Sequence, residues 1–332
     1  MTPAQAEKAA KKDGPEEFMA IHTDSLLVDS SPPFALYFRS GEEQPFVLYC
    51  ERKTEFTGEA KRRLRQNRID RLYVTAKEKI HYSRYVADNL PSILNDPKLG
   101  VKEKSAILYD SAQAVVESVL SKPTERAQIE RGKVIVEQTV EFMRSEEFML
   151  QHLLRTISCD FYLYTHSVNV VAYSVALAMR AGYADPATLR ELANGALLHD
   201  VGETMLNRSK AGSAEALSKE DWDEVKRHPE EGRAVLHKTG GLGEIALDIV
   251  LHHHEKLDGT GYPHGLSGDE ISVFVRIVAI ADIFDALTTD RHHQKAQGTF
   301  DALKLMGETM RTELDTELFR HFVGMMGADL RG

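Results

Sequence analysis

The feature that most constrains the fold is a series of histidines and aspartates that interrupts apolar, helix-forming segments between residues 166 and 282. The segment Ala196-Leu197-Leu198 leads directly into His199-Asp200. Neighbouring positions of a helix point about 100° apart, so this imidazole and this carboxylate can straddle a pair of ions instead of chelating one. The series therefore predicts helices that converge on a metal site.

Other members of the series occupy positions of different kinds. His228 precedes Pro229, which restricts the backbone and is typical of a helix junction. The run from His252 to His254 leads into a glycine-rich turn, a position that argues against a chance surface cluster. Asp282 and Asp285 lie three residues apart and so share one helix face. His166, taken alone, would more often be a hydrogen-bonded core residue than a ligand.

The donor types indicate the chemistry. Neutral imidazoles and carboxylates without thiolates suit iron, manganese or zinc. Two such ions about 3.5 to 4 Å apart lower the pKa of a bridging water and stabilise the entering and leaving oxygens at phosphorus. Phosphodiester hydrolysis is the reaction that this set of donors favours. A serine or cysteine nucleophile in an elbow motif and a Walker-type phosphate loop are both absent from the sequence.

Charge and patterning argue against two classes of partner. The net charge of −10 disfavours nonspecific binding to nucleic acid or to an anionic membrane surface. The basic run from Lys61 to Arg68 lacks interleaved aromatic residues and predicts a solvated helix face. The segment Phe161–Met179 carries no Asp, Glu, Lys or Arg, but its polar residues predict a buried core helix instead of a membrane span. We expect neither a nucleic-acid nor a membrane partner.

The N-terminus lacks the apolar segment of a signal peptide, and the two cysteines, Cys50 and Cys159, lie far apart in the sequence. A disulfide framework is not expected, and a reducing cytoplasm is the predicted location.

The pattern of elements predicts an α+β chain, with a small N-terminal α/β module followed by an all-α domain. The module contains a hairpin from Phe34–Arg39 and Phe46–Cys50, a helix capped by Thr57 that runs to about Arg68, and a strand at Arg71–Val74. Prolines at 91, 97 and 123 are expected to divide the following helical segment. The predicted divisions are a flexible arm at 1–15, the module at 16–90, a helical linker at 91–124 and the all-α domain at 125–332.

The order of the motifs carries a family resemblance. His166, His199-Asp200, His228-Pro229, the stretch His253-His254-Glu255 through Gly261-Tyr262-Pro263, and Asp282 together resemble the HD-GYP domain of bacterial cyclic di-GMP phosphodiesterases over about residues 125 to 327. The resemblance implies an all-helical HD fold that opens cyclic di-GMP to linear pGpG, or on to GMP. It also implies two divalent metal ions, iron or manganese with zinc as the alternative, and a hydroxide bridging them as nucleophile.

The resemblance assigns residues to roles. It makes Asp200 the bridging ligand and places His199, Asp200 and Glu203 at the reacting centre. It implies that the Gly261-Tyr262-Pro263 turn, Arg291 and Gln294 contact the substrate. Some members add a glutamate that recruits a third ion, and Tyr162 stands there, which favours two ions. The implied metal ligands are His166, His199, Asp200, His228, His253, His254 and Asp282.

The chain departs from the family pattern around the substrate. The usual His-Asp-x-Gly-Lys ends here in Glu203, and the usual Arg-Pro-Tyr-Arg or -Lys appears as Arg291-His292-His293-Gln294. A chain that keeps the metal ligands but changes the cations expected to bind the substrate indicates shifted specificity or a weakened enzyme. Three hypotheses follow: an active cyclic di-GMP phosphodiesterase, a metal-bearing binding module with little turnover, and a phosphodiesterase for another nucleotide such as cyclic GMP-AMP.

Two protein partners are also expected. In the family, the Gly-Tyr-Pro turn is proposed to dock GGDEF domains, although a purely structural role beside the metals is the alternative. The helices between residues 82 and 150 have enough apolar surface for a homodimer seam, and they can equally pack on their own domains.

Overall fold

The computed structural model describes residues 17–41, 44–97, 99–145, 163–206, 218–290 and 295–329. The chain divides into two compact units, Met1–Ile107 and Leu108–Gly332. The division falls within a single helix, Val101–Ser121, so the predicted limits at 16–90, 91–124 and 125–332 stay a prediction.

A four-stranded antiparallel sheet forms the centre of the first unit. Its strands are β1 (Phe18–His22), β2 (Leu36–Phe38), β3 (Val47–Cys50) and β4 (Arg71–Thr75), in the spatial order β1-β4-β2-β3. The β2–β3 pair is the predicted hairpin, and Phe38 lies opposite Val47. Ile21, Leu36, Leu72 and Val74 are buried and supply the apolar core of this sheet.

The helices of the first unit follow their sequence signals with one exception. Helix α1 (Gly58–Gln66) begins after Thr57, whose side chain accepts a hydrogen bond from the backbone N–H of Ala60, as predicted. Helix α2 (Lys79–Leu94) contains Pro91, so the expected division of the helical segment is wrong at this proline, whereas Pro97 and Pro123 do lie between helices. Pro91 removes one backbone donor, but the helix continues for three residues and buries Ile93.

The second unit is built from helices packed on one another. The helix that crosses the division is α3 (Val101–Ser121). The helices after it include those that carry the histidines and aspartates between residues 166 and 282. They are α4 (Arg126–Ser145), α5 (Leu163–Arg180), α6 (Pro186–Leu198), α7 (Lys219–Val225), α8 (His228–Thr239), α9 (Glu244–His252), α10 (Val273–Thr288), α11 (Thr299–Thr309) and α12 (Thr316–Asp329).

Helix α6 is central to this packing, because it contacts α4, α5 and α9. Its apolar residues, including Leu189, Leu192 and Leu197, are buried on several sides. The last turn of α6 therefore delivers His199 and Asp200 into the interior of the helical unit.

A 3-10 helix, Val201–Met205, follows and packs against the start of α8. A Cβ atom at Gly202 would collide with the backbone carbonyl of His228. Only glycine permits this close approach, which sets the 199–200 pair beside His228.

These observations confirm the α+β class, with a small sheet near the N-terminus followed by a helical domain. The segment expected to be a core helix is α5, in which His166 and the neighbouring polar residues are buried. Among the described residues, no helix combines the length and the apolar character needed to cross a membrane.

Candidate metal centre

Seven side chains from five places in the chain meet inside the helical unit. They form two groups. Within each group, the possible ligand atoms lie within 4.8 Å of one another, so each group can hold a metal ion. One group is Asp200, His228, His253 and His254, and the other is His166, His199 and Asp282. These are the seven ligands that the resemblance implies, and together they are called the seven-residue centre below.

Asp200 lies between the two groups and faces both. Its Oδ1 is 3.3 Å from Nε2 of His228 and 3.5 Å from Nε2 of His253. Its Oδ2 is 3.3 Å from Nε2 of His199 and 3.7 Å from Nε2 of His166. One carboxylate thus presents one oxygen to each group, which is the arrangement of a bridging ligand.

Asp282 spans the groups in the same way. Its Oδ1 is 3.2 Å from Nε2 of His166, and its Oδ2 is 3.9 Å from Nδ1 of His254. It is supplied by α10, whereas Asp200 follows α6, so the two carboxylates approach the imidazoles from different helices.

The outer nitrogens of three imidazoles are held by backbone carbonyls. Nδ1 of His199 contacts the carbonyl of Ala196 at 2.8 Å, and Nδ1 of His228 contacts that of Val225 at 2.7 Å. The same contact joins His253 to Val250 at 3.0 Å. A carbonyl oxygen only accepts, so Nδ1 carries a proton, and Nε2 is the nitrogen that faces the interior.

The inner nitrogens of the imidazoles face one another in pairs, and their spacing tests whether metal ions fit. Nε2 of His228 is 3.1 Å from Nε2 of His253, and Nε2 of His199 is 3.2 Å from Nε2 of His166. An imidazole nitrogen must be free of its proton to bind an ion, and nitrogens bound to one ion at about 2.1 Å are about 3.0 to 3.4 Å apart. The donor set and its spacing fit divalent ions.

The electrostatics of the centre separate charged from neutral members. Burial raises the pKa of Asp200, but His199, His228 and His253 outweigh burial and hold that pKa well below its ordinary range. Burial, reinforced by the neighbouring His253, lowers the pKa of His254 well below its usual value. Asp200 is therefore an anion and His254 a neutral imidazole at pH 7, the forms that bind metals.

His166 has a different outer partner. Its Nδ1 lies 2.7 Å from Oδ2 of Asp285, whose Oδ1 accepts a hydrogen bond of 2.8 Å from Nδ2 of Asn169. Asn169 in turn accepts a hydrogen bond of 2.6 Å from the hydroxyl of Tyr109 on α3. Without a metal, burial lowers the pKa of His166, but Asp282 and Asp285 outweigh burial and raise it to about 10.

Sequence reasoning noted Asp285 but gave it no role, and it missed Asn169 and Tyr109. The three-residue spacing between Asp282 and Asp285 was the sequence signal that could have assigned a role to Asp285. Asn169 lies 116 positions from Asp285, and Tyr109 lies 60 positions from Asn169. Local sequence carries no signal for such contacts.

The Gly261-Tyr262-Pro263 turn lies directly against the centre. The ring of Tyr262 is 4.7 Å from that of His254, and the Tyr262–Pro263 peptide bond is cis. A Cβ atom at Gly261 would lie 2.5 Å from the Cα of Glu255, so glycine is required for this packing. Burial, followed by the charges of Asp200, Asp282 and Glu203, raises the pKa of Tyr262, whose hydroxyl is therefore neutral.

The remaining site predictions have different outcomes. Glu203 belongs to neither group of ligand atoms among the described residues. Its charge nevertheless reaches the centre: burial lowers the pKa of His228, but Asp200 and, to a smaller extent, Glu203 outweigh burial and raise it. Arg291, Gln294 and Tyr162 lie outside the described residues.

A cation and a tryptophan that sequence reasoning missed stand beside the turn. Nζ of Lys226 lies 5.7 Å from the ring centroid of Tyr262 and 5.8 Å from that of Trp222. Trp222 is the chain's single tryptophan, and it is exposed. An exposed aromatic ring and a cation at the rim of a metal centre suit a ligand that has bases and phosphates.

Comparisons with known proteins agree with this site. The HD domain family model matches residues 149–318. Cyclic di-GMP phosphodiesterase PA4108 of Pseudomonas aeruginosa is 29% identical over 279 residues, which are 80% of this chain and 67% of that protein. 3'3'-cGAMP-specific phosphodiesterase 3 of Vibrio cholerae is 36% identical over 154 residues, 46% of this chain but 33% of that protein.

A solved structure shares the fold over nearly the whole chain. Bd1817, a HDG"Y"P protein from Bdellovibrio bacteriovorus, has a TM-score of 0.65 at 23% identity. The match covers 94% of this chain and 100% of that one, so it includes the region of the small sheet as well as the helices.

Proposed function

Because the chain belongs to the HD domain family and to its HD-GYP group, we propose that it is a metal-dependent phosphodiesterase that hydrolyses cyclic di-GMP. The observation that carries this proposal is the pair of ligand groups joined by Asp200 and Asp282. That arrangement suits two ions placed side by side, as hydrolysis at phosphorus requires.

The seven-residue centre would hold two divalent ions, with iron or manganese preferred and zinc as the alternative. When bound, such ions supply an activated water and neutralise charge on the phosphate oxygens. The chain's own part is to fix the donors: the carbonyls of Ala196, Val225 and Val250 set the tautomers of three imidazoles. His199 and Asp200 act at the reacting centre through this fixed geometry.

The rim residues would bind the organic part of the substrate. Tyr262, neutral at pH 7, offers a flat surface beside the metals, and Trp222 offers a second ring for a guanine base. Lys226, between the two rings, supplies a positive charge for a phosphate on a chain that carries a net charge of −10. Arg291 and Gln294 stay predicted substrate contacts, as do a GGDEF-domain partner at residues 261–263 and a homodimer.

The test is turnover by the full chain loaded with Mn²⁺, with cyclic di-GMP and 3'3'-cGAMP as parallel substrates and chromatography of the products. We expect linear pGpG, or GMP, from cyclic di-GMP. The Asp282→Asn variant should lose activity, and Asp269→Asn, which changes an exposed carboxylate outside the centre, should retain it. Preferential cleavage of 3'3'-cGAMP would assign the other substrate, which the names of three Vibrio cholerae relatives favour.

A second candidate function is a metal-bearing module that binds a cyclic dinucleotide with little turnover. Glu203 favours it, because an anion whose charge reaches His228 and Tyr262 opposes the charge of a phosphodiester. Positioned cations on phosphate oxygens are a main source of rate, and one lost contact costs about 2.7 to 4 kcal/mol.

The Glu203→Lys variant separates the roles considered for Glu203. A lost substrate clamp predicts hydrolysis faster by roughly 10² to 10³-fold with metal retained. A brace for His228 predicts little gain, and a ligand predicts metal loss. Unchanged rate and metal content in this variant would remove the main support for the binding module.

A further inference from the structure

A second cluster of imidazoles lies outside the seven-residue centre. His252 ends α9, and its Nε2 is 3.1 Å from Nδ1 of His264, which lies in the loop after Pro263. Nδ1 of His252 is 2.7 Å from Oδ1 of Asp248, one turn earlier on α9. The other oxygen of Asp248 accepts a hydrogen bond of 2.7 Å from the hydroxyl of Ser272.

These contacts determine which atoms are available for binding. One carboxylate oxygen of Asp248 faces Nδ1 of His252, and the other accepts from the hydroxyl of Ser272. With its Nδ1 directed at a carboxylate, His252 turns its Nε2 toward His264 as the nitrogen available for binding. A carboxylate behind an imidazole is the arrangement that orients histidine ligands in metal sites.

The spacing of the pair matches that of the main centre. The 3.1 Å between His252 and His264 compares with 3.1 and 3.2 Å for the facing Nε2 pairs of the seven-residue centre. Nitrogens bound to one ion at about 2.1 Å lie about 3.0 to 3.4 Å apart. We propose that His252 and His264, oriented by Asp248, form a separate site for a divalent transition-metal ion such as Zn²⁺, with water as the remaining ligands.

Such an ion would fasten the Gly261-Tyr262-Pro263 turn to α9. His264 follows Pro263 directly, and its backbone N–H already donates to Oε1 of Glu255 at 2.7 Å. The N–H of Leu266 donates to the other oxygen of Glu255 at 3.0 Å. The ion would add a side-chain link to a loop held by backbone contacts, and amide exchange in residues 256–267 should slow when it binds.

The experiment is a Zn²⁺ titration of the full chain by calorimetry, with total metal counted by elemental analysis. Wild type is expected to bind one more Zn²⁺ than the His264→Gln variant, which keeps a hydrogen-bonding group but removes the ligand nitrogen. His237→Gln is the matched control, because it removes another exposed imidazole of the same unit, and it should bind as wild type does. Asp248→Asn should keep the stoichiometry and weaken the extra ion about 10 to 100-fold.

Equal Zn²⁺ stoichiometry and affinity in wild type and His264→Gln would overturn the proposal, because the contact would then be only a hydrogen bond. An extra ion lost equally in His237→Gln would also overturn it. Slower amide exchange in residues 256–267 of wild type with Zn²⁺, absent in His264→Gln, is a readout independent of activity and of the proposed phosphodiesterase.

Discussion

The two units bury charge in opposite ways. In the first unit, Glu78 is 2% exposed, and protein donors reach both its oxygens. Oε1 accepts from the backbone N–H of Ala35 at 3.0 Å and from Nε of Arg52 at 2.7 Å, and Oε2 accepts from the hydroxyl of Thr75 at 3.3 Å. This carboxylate joins strands to the start of a helix and needs nothing from outside the chain.

In the second unit, the seven-residue centre is satisfied only on its outer side. His199, His228 and His253 are at most 1% exposed, and each gives its Nδ1 proton to a backbone carbonyl while Nε2 faces other ligand atoms. Buried polar groups are normally paired, and inner nitrogens that face one another at this spacing are the arrangement expected around a cation. The direction in which the inner ligand atoms face, more than the burial of charge, separates a structural polar group from a binding site.

Removal of a shared carboxylate should have the largest effect. Asp200→Ala takes away a side chain that presents one oxygen to each group. We expect fewer than two ions per chain and activity at background. This loss is larger than the roughly 10 to 100-fold loss of metal affinity or activity typical when a residue that hydrogen-bonds to a ligand is changed. Metal analysis and turnover measure it, with Asp269→Ala as control. Two retained ions in Asp200→Ala would contradict the assignment of Asp200 as a bridge.

Metal uptake should depend steeply on pH. Without metal, Asp282 and Asp285 overcome the effect of burial and raise the pKa of His166 to about 10, so its ring is protonated at pH 7. Binding requires the neutral ring, so uptake releases a proton, and apparent affinity rises with pH up to that pKa. Each proton released gives about a tenfold gain per pH unit. Mn²⁺ titrations at several pH values measure the slope, and a flat profile would contradict this.

The outer partner of His166 should matter less than the ligands. Asp285→Asn replaces an acceptor of the Nδ1 proton with an amide that can present a donor, which disfavours the tautomer needed for binding. We expect metal affinity to fall about 10 to 100-fold while the fold is kept. Asp290→Asn is the control, because it changes an exposed carboxylate just after the end of the same helix, α10. Unchanged affinity in Asp285→Asn would show that Asp285 is structural only.

A variant of Glu78 tests the first unit, where removal of a buried carboxylate should lower stability without changing metal content. Glu78→Ala leaves the N–H of Ala35 and the hydroxyl of Thr75 without this acceptor. We expect a loss of about 1 to 3 kcal/mol in the stability of the first unit. Metal content of the second unit should be unchanged. Denaturant unfolding and elemental analysis check the two parts, and a loss of metal in this variant would contradict the separation drawn between the two kinds of buried charge.

The resemblance carried by the order of the motifs implies the seven residues that the structure brings together, and some of them also carry a local sign, such as the His-Asp pair at a helix end or the triple histidine before a glycine-rich turn. The same reasoning fails where the partner is distant. Asn169 and Tyr109 are ordinary residues of helical segments, and only packing brings them to Asp285. The prediction for Pro91 fails for another reason. Burial of Ile93 favours continuation of the helix past a residue that usually ends one.

The smallest expected effect concerns Tyr109, the far end of the hydrogen-bonded chain that reaches His166. Tyr109→Phe removes the hydroxyl that donates to Asn169 and keeps the buried ring. One neutral hydrogen bond contributes about 0.5 to 1.5 kcal/mol, so metal affinity should fall about two- to tenfold. Tyr183→Phe, which removes a hydroxyl elsewhere in the unit and keeps its ring against Phe274, is the control.

A double-variant cycle tells whether this effect passes through Asp285. If Tyr109 acts on His166 by way of Asn169 and Asp285, then Tyr109→Phe should change metal affinity in wild type and have little further effect in Asp285→Asn. If Tyr109 only supports the packing of α3, its effect on affinity should be the same in both backgrounds and should follow the change in stability. Equal effects would therefore reject the chain of hydrogen bonds as the route to the metal centre.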